Sequence, residues 1–162
     1  MAHEDRIMNI AIQLSQTDAA MVGTASIDLT AKLWSIRKLD DVMSDDSMQS
    51  GFCIEELAHL KGHEARLCSI AFHPIRAFVA TTSFDHTWRL WDIESGGTEL
   101  LLQDGHARET YGLGFHPDGS LCATTDFGGV VQVWDLRTGK SVCHFLVSSL
   151  VIGRILVALD SF

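Results

Sequence analysis

The 162-residue sequence predicts an all-β chain of about three four-stranded antiparallel units that do not close into a ring. Two observations carry this prediction. Four short motifs, Gly-His, Phe-His-Pro, Ala-Thr-Thr and Trp-Asp, recur together at a spacing of 43 residues. Between them lie strand-length apolar runs bounded by turn signals. The motifs keep phase throughout. Gly62-His63 falls on Gly105-His106, and Phe72-His73-Pro74 on Phe115-His116-Pro117. Ala80-Thr81-Thr82 falls on Ala123-Thr124-Thr125, and Trp91-Asp92 on Trp134-Asp135.

The elements follow in order. A looser first copy runs from Ala2-His3 through "TASIDLTAKLWS" to Trp34-Ser35. It holds three more residues between His and Trp than the other copies, placed in the turn around Gln13 to Asp18. Next comes "RKLDDVMSDDSMQSG", rich in Asp and Ser, so residues 36–51 are expected to be an irregular surface loop. In the second copy the strand-length runs are Leu67 to Phe72, Phe78 to Ser83, Thr87 to Trp91 and Thr98 to Gln103. The repeat region is residues 1–146, and its units fall at about 2–60, 61–103 and 104–146. Ser148 and Ser149 stand where the next Gly-His is due, so the apolar tail 147–162 leaves the repeat. The tail is too short to span a membrane and Arg154 interrupts it, so no membrane partner is expected.

Composition narrows the function classes. Apolar residues make up 46% and charged residues 20%, an ordinary globular balance. A net charge of −9 argues against a stand-alone nucleic-acid binder. Cys53, Cys68, Cys122 and Cys143 form no C-x-x-C pair and read as reduced thiols of an intracellular protein. The first ten residues lack the pattern of a secretory signal.

Gly139-Lys140-Ser141 resembles the end of a phosphate-binding loop. The first glycine that loop requires is Trp134 here, and "SVCHFLV" reads as a strand where a helix is needed. A hairpin turn is the expected reading. His59, His86 and His144 lack ligand spacing, so no metal is expected; nor is a cofactor or a small-molecule substrate. Trp88, where the other copies have Ala31 and Val131, is expected to fill space between units.

The period, with its Gly-His and Trp-Asp pairs, resembles the WD-repeat (WD40) β-propeller family, in which each unit is one blade. The resemblance implies a structural hydrogen-bonded tetrad in each blade: His3, Ser26, Asp28 and Trp34; then His63, Ser83, Asp85 and Trp91. The third set keeps His106 and Trp134, but Gly128 replaces the turn Asp and Asp126 takes the Ser position. That tetrad is expected to be broken or rearranged, and its blade the least well pinned. A Ser, a His and an Asp also compose a nucleophilic triad. Their recurrence with the repeat favours the structural role, and no catalytic residue is expected.

"SFDHTWRLWDIESGGTELLLQDGHARETYGLGFHPDGSL" further resembles the pre-mRNA processing factor 4 type of WD-repeat protein, found in the spliceosomal U4/U6 small nuclear ribonucleoprotein. That resemblance, over about residues 2 to 146, implies a truncated, non-enzymatic nuclear scaffold. Its partners would be other spliceosomal snRNP proteins, with snRNA by association, in the U4/U6.U5 tri-snRNP. The alternative is a cytoplasmic adaptor such as a ubiquitin-ligase substrate receptor. The ligand face implied by the family is Arg6, Met8 and Ile27; Arg66, Cys68 and Phe84; Glu109, Tyr111 and Phe127. Phe84 and Phe127 stand out because tight turns favour small polar residues. They form an exposed patch, or each folds back onto its own blade. Three blades fall short of the four or more that closure takes, and so leave open edges.

Overall fold

The computed structural model describes residues 3–14, 19–38 and 51–147. Twelve strands among them form three four-stranded antiparallel sheets, each with its strands in sequence order. The first sheet holds β1 (Ile7–Leu14), β2 (Ala19–Ser26), β3 (Thr30–Lys38) and β4 (Phe52–Lys61). The second holds β5 (Leu67–Phe72), β6 (Phe78–Ser83), β7 (Thr87–Asp92) and β8 (Thr98–Asp104). The third holds β9 (Thr110–Phe115), β10 (Leu121–Asp126), β11 (Val130–Asp135) and β12 (Lys140–Leu146). None of the three closes on itself, and the architecture is that of an open β-propeller fragment.

Several expected boundaries shift, and others fall outside the described residues. β3 continues through Ile36, Arg37 and Lys38, which pair with Ile54, Cys53 and Phe52, so these three residues are strand and not part of the loop expected over 36–51. Ile36 and Ile54 are cross-strand apolar partners, and their pairing carries the ladder past the Asp-rich composition. β4 and β8 each end one residue beyond the expected unit limits of 60 and 103. The extra turn residues 15–18, the loop residues 39–50 and the tail from 148 onward lie outside the described residues.

Side chains alternate between the faces of each sheet, so every sheet packs on both neighbours where it has two. Ala25, Ala31, Leu33, Ala58 and Leu60 of the first sheet meet Leu67, Ile70, Val79 and Trp91 of the second. Ala80, Trp88 and Leu90 on the opposite face of the second sheet meet Leu113, Cys122 and Trp134 of the third. Trp88 is fully buried there, edge-on to Trp134 at 5.6 Å between ring centres. It fills the space between sheets.

Polar contacts set the stagger of the stack. The Ile70 N–H donates to Asn9 Oδ1 (3.3 Å), and the Gln13 amide to the His73 carbonyl (3.2 Å). The Gln103 amide donates to the Gly139 carbonyl (2.6 Å). Near the β5–β6 turn, His73 Nδ1 accepts the N–H groups of Ile75 and Arg76, so Nε2 carries the proton and donates to the Gly119 carbonyl at 2.9 Å.

The turns joining the second and third strands of each sheet all need one left-handed residue. It is Leu29 (φ 71°), His86 (φ 72°) and Gly129 (φ 79°) in turn. Leucine gains nothing locally from that conformation, whereas asparagine adopts it readily. Leu29 is exposed, so Leu29→Asn should raise unfolding free energy by about 1 kcal/mol. Urea denaturation that showed no gain would contradict the strain assigned to this turn.

Gly139 closes the β11–β12 turn with φ 66° and an N–H bond to the Asp135 carbonyl. Lys140 and Ser141 then enter β12. The segment lacks the helix whose N-terminus a phosphate loop requires.

Candidate functional site

Each sheet is pinned by one buried polar chain. In the second sheet the Trp91 indole N–H donates to Thr81 Oγ1 (2.9 Å). Thr81 Oγ1 lies 2.8 Å from His63 Nε2, and His63 Nδ1 lies 2.7 Å from Asp85 Oδ2. A carboxylate can only accept, so Nδ1 carries the histidine proton and the threonine hydroxyl donates to Nε2. Asp85 Oδ1 accepts from the Thr87 N–H and hydroxyl, and Oδ2 from the Glu64 N–H. Burial pushes the Asp85 carboxyl up, but the hydrogen bonds from His63, Thr87 and Glu64 outweigh it and hold it well below the usual carboxylate range. The first sheet repeats the chain as Trp34, Thr24, His3 and Asp28.

The hydroxyl in this chain belongs to Thr24 and Thr81, not to Ser26 and Ser83. Ser83 Oγ instead donates to the Ala65 carbonyl and accepts the Asp85 N–H, holding the turn. Ser26 does the same work with the Arg6 carbonyl and the Asp28 N–H. Thr81 and Ser83 share a face of β6, and the strand register brings only Thr81 under the Trp91 indole. The Ala-Thr-Thr repeat held the signal.

In the third sheet Trp134 and His106 meet on Thr124 at 2.7 Å each, and His106 Nδ1 reaches Asp126 Oδ2 at 3.1 Å. Asp126 Oδ1 accepts from the Gly128 and Val130 N–H groups. The network is therefore rearranged, with the carboxylate supplied two residues early, and the chain of bonds is complete. Burial depresses the His106 pKa, and Asp126 offsets part of that. The glycine of the Gly-His pair has a steric reason: a Cβ on Gly105 would stand 2.9 Å from the Trp134 ring.

At one end of the sheets a second constellation forms. The turn residue of each sheet donates its N–H to the inner strand: Ile27 to the Arg6 carbonyl, Phe84 to Arg66, and Phe127 to Glu109. Beside each pair sits a β-bulge, at Met8, Cys68 and Tyr111. Bulges re-aim side chains. Met8 and Tyr111 point to solvent, whereas Cys68 is buried in the middle sheet, with its thiol pushed up to about 12 by that burial. Cys68 thus leaves the expected contact face.

The other side chains of the middle and last sheets come together. The Arg66 guanidinium lies 3.8 Å over the Phe84 ring. Phe84 stands edge-on to Phe127 at 5.3 Å, and Phe127 to Tyr111 at 5.1 Å. Phe84 is half-buried, while Phe127, Tyr111 and Arg66 are exposed and Glu109 is half-buried. The two phenylalanines meet across the sheets, and each also packs on a residue of its own unit, Phe84 on Arg66 and Phe127 on Tyr111. Arg6, Met8 and Ile27 take the equivalent places on the first sheet, and Arg6 and Met8 are exposed. Among the described residues no group of three His, Cys, Asp or Glu side chains could hold a metal ion, and no helix is long and apolar enough to cross a membrane.

Repeated four-stranded sheets, each with this indole–hydroxyl–imidazole–carboxylate chain, define a propeller-type interaction module. The chain matches the family described as "WD domain, G-beta repeat" over residues 54–92 and 97–135. Among curated proteins it is 48% identical over 48 residues to the U4/U6 small nuclear ribonucleoprotein PRP4 of Saccharomyces cerevisiae, 30% of this chain and 10% of that protein. It is 33% identical over 91 residues to human WD repeat-containing protein 37, 56% of this chain and 15% of that protein. It is 47% identical over 45 residues to human coronin-7, 27% of this chain and 5% of that protein. The chain thus spans a small part of each of these relatives.

Proposed function

We propose that the chain is a non-enzymatic docking platform for proteins, and that Arg66, Phe84, Tyr111 and Phe127 form its contact surface, flanked by Glu109, Arg6, Met8 and Ile27. The carrying observation is the unbroken line of ring contacts from the Arg66–Phe84 stack to Tyr111. Aromatic and arginine side chains held rigid at a surface supply most of the energy in protein interfaces. The partners in this reading are spliceosomal snRNP proteins, with snRNA by association, and the compartment is the nucleus. The stretch similar to the U4/U6 protein PRP4 supports it.

The test is capture of snRNP proteins from nuclear extract. Phe84→Ala combined with Tyr111→Ala should reduce it at least about tenfold, the loss of one hot spot or more. The melting temperature should stay nearly unchanged. Capture that survives the double substitution intact would remove this face from the interface. A second reading, an adaptor outside the spliceosome, draws on the longer match to WD repeat-containing protein 37. Recovery of ubiquitin-ligase subunits in place of snRNP proteins would favour it.

A further inference from the structure

We propose that the groove between the second and third sheets, at the end away from Phe84 and Phe127, is a second docking site. Its occupant is an extended peptide segment with a carboxylate beside a large apolar side chain. The turns fix its place. Strands alternate in direction, so the β5–β6, β9–β10 and β11–β12 turns lie opposite the β6–β7 and β10–β11 turns that carry the two phenylalanines. Between them opens a groove of about 620 Å³. Its floor is apolar, formed by Phe78, Leu90, Leu121 and Leu136. Ile75, 70% exposed, forms one lip. Both walls are turns of sheets that already pack on each other through Trp88 and Trp134.

Two guanidinium groups border that floor. Arg76 lies over the Phe78 ring at 5.9 Å, and His73 Nδ1 accepts its N–H, which holds the turn that presents it. Arg137 is held through its own N–H by Asp135 Oδ1 at 2.8 Å. Among the described residues neither side chain forms an ion pair. The two carboxylates of the lining are bonded into their own turns. Asp118 Oδ1 accepts the Ser120 N–H and hydroxyl and pairs with His116 at 2.7 Å. Asp135 Oδ1 accepts the Arg137 and Thr138 N–H groups. The uncommitted donors of the groove are thus guanidinium N–H groups, whose planar fork matches a carboxylate. From the β9–β10 turn to the β11–β12 turn the groove crosses two strand spacings, about 10 Å, the reach of about three extended residues. An acidic residue and a large apolar neighbour fill that length. The choice of a peptide over a small carboxylate rests on the reading of the chain as a protein-docking platform.

The test probes the 162-residue chain with an array of short peptides in which acidic and large apolar residues vary in position, then measures the selected peptides by fluorescence anisotropy. Selected peptides should carry Asp or Glu beside, or one residue from, Leu, Ile, Phe or Trp. Arg76→Glu and Arg137→Glu should each weaken them at least about tenfold, as removal of one partner of a charged pair does. Ile75→Ser should weaken them with both charges in place. All three side chains are exposed, and unchanged circular dichroism would show that the sheets persist. Phe84→Ala with Tyr111→Ala should leave this binding as it is. Selection indifferent to acidic residues, or binding lost with Phe84 and Tyr111, would overturn the proposal. Free phenylpropionate is the second probe. If it binds as tightly as the selected peptides and is lost with Arg137→Glu, the groove takes small carboxylates, and the peptide falls together with the platform reading behind it. Arginine substitutions without effect on either probe would overturn the groove itself.

Discussion

Gly119→Ala is expected to lower unfolding free energy by about 3–4 kcal/mol, combining left-handed strain with the loss of a buried hydrogen-bonded contact. Gly119 has φ 73°, and a Cβ there would run into the His73 ring. His73 is buried, and it links the second sheet to the third through the Gly119 carbonyl while holding its own turn. It can retreat only by giving up these bonds. Gly96 separates the two contributions. Its φ is 79°, yet an added Cβ would meet nothing within 4 Å. Gly96→Ala should therefore cost about 1 kcal/mol, from backbone strain alone. Equal shifts in urea midpoint for the two variants would show that the His73 contact contributes nothing.

The second large effect belongs to Asp85. Asp85→Ala removes the acceptor of His63 Nδ1, the Thr87 hydroxyl and two N–H groups, and should cost about 3 kcal/mol. Gly128→Ala, at the corresponding position of the third sheet, should cost less than about 1 kcal/mol. Gly128 is absent from the left-handed positions, and its Cβ would touch Asp126 at 3.1 Å and the movable Arg108 side chain at 3.2 Å. The folded-state pKa of Asp85 is depressed, so its stabilisation is present above the unfolded value near pH 4 and is lost as pH falls through the folded one. The Asp85→Ala protein should accordingly show a shallower loss of stability below about pH 4 than its parent. Similar melting shifts for Asp85→Ala and Gly128→Ala would contradict the role assigned to the turn carboxylate.

Most of the strand pattern is legible in the sequence because the repeat and the turn chemistry agree. Leu67 to Phe72 and Phe78 to Ser83 are marked at both ends by His-Pro and Phe-Asp, and the strands keep those limits. Composition misleads where pairing overrides it, as at Arg37 and Lys38, which look like the start of a polar loop yet extend β3. The tetrad hydroxyl is a finer case. Three consecutive hydroxyl residues, Thr81, Thr82 and Ser83, end β6, and strand alternation sets Thr82 aside but does not choose between the other two. The choice follows from register, which pairs Val79 with Trp91 and places the indole over Thr81. Asp126 illustrates the opposite problem. Motif matching reads its displaced carboxylate as a defect, whereas the side chain reaches His106 from the strand end and Gly128 leaves the turn free to bond it. Repeat phase puts Cys68 on the contact face, but its place in the middle sheet buries it, whereas the same bulge leaves Met8 and Tyr111 of the outer sheets exposed.

The middle sheet is gripped on two faces by apolar neighbours, and each outer sheet on one. Stability in such an array behaves as a nearest-neighbour chain, in which loosening an end unit breaks one coupling and loosening the centre breaks two. Unfolding of the separate chain is thus biased to begin at its extremities and run inward, with β5 to β8 surrendering last. The Arg66–Phe84 stack sits on that most durable unit, while its aromatic continuation, Tyr111 and Phe127, rides on a unit that can fray. The proposed contact surface is therefore part anchor and part hinge, and a partner settling across both halves would also staple the fraying end to the centre.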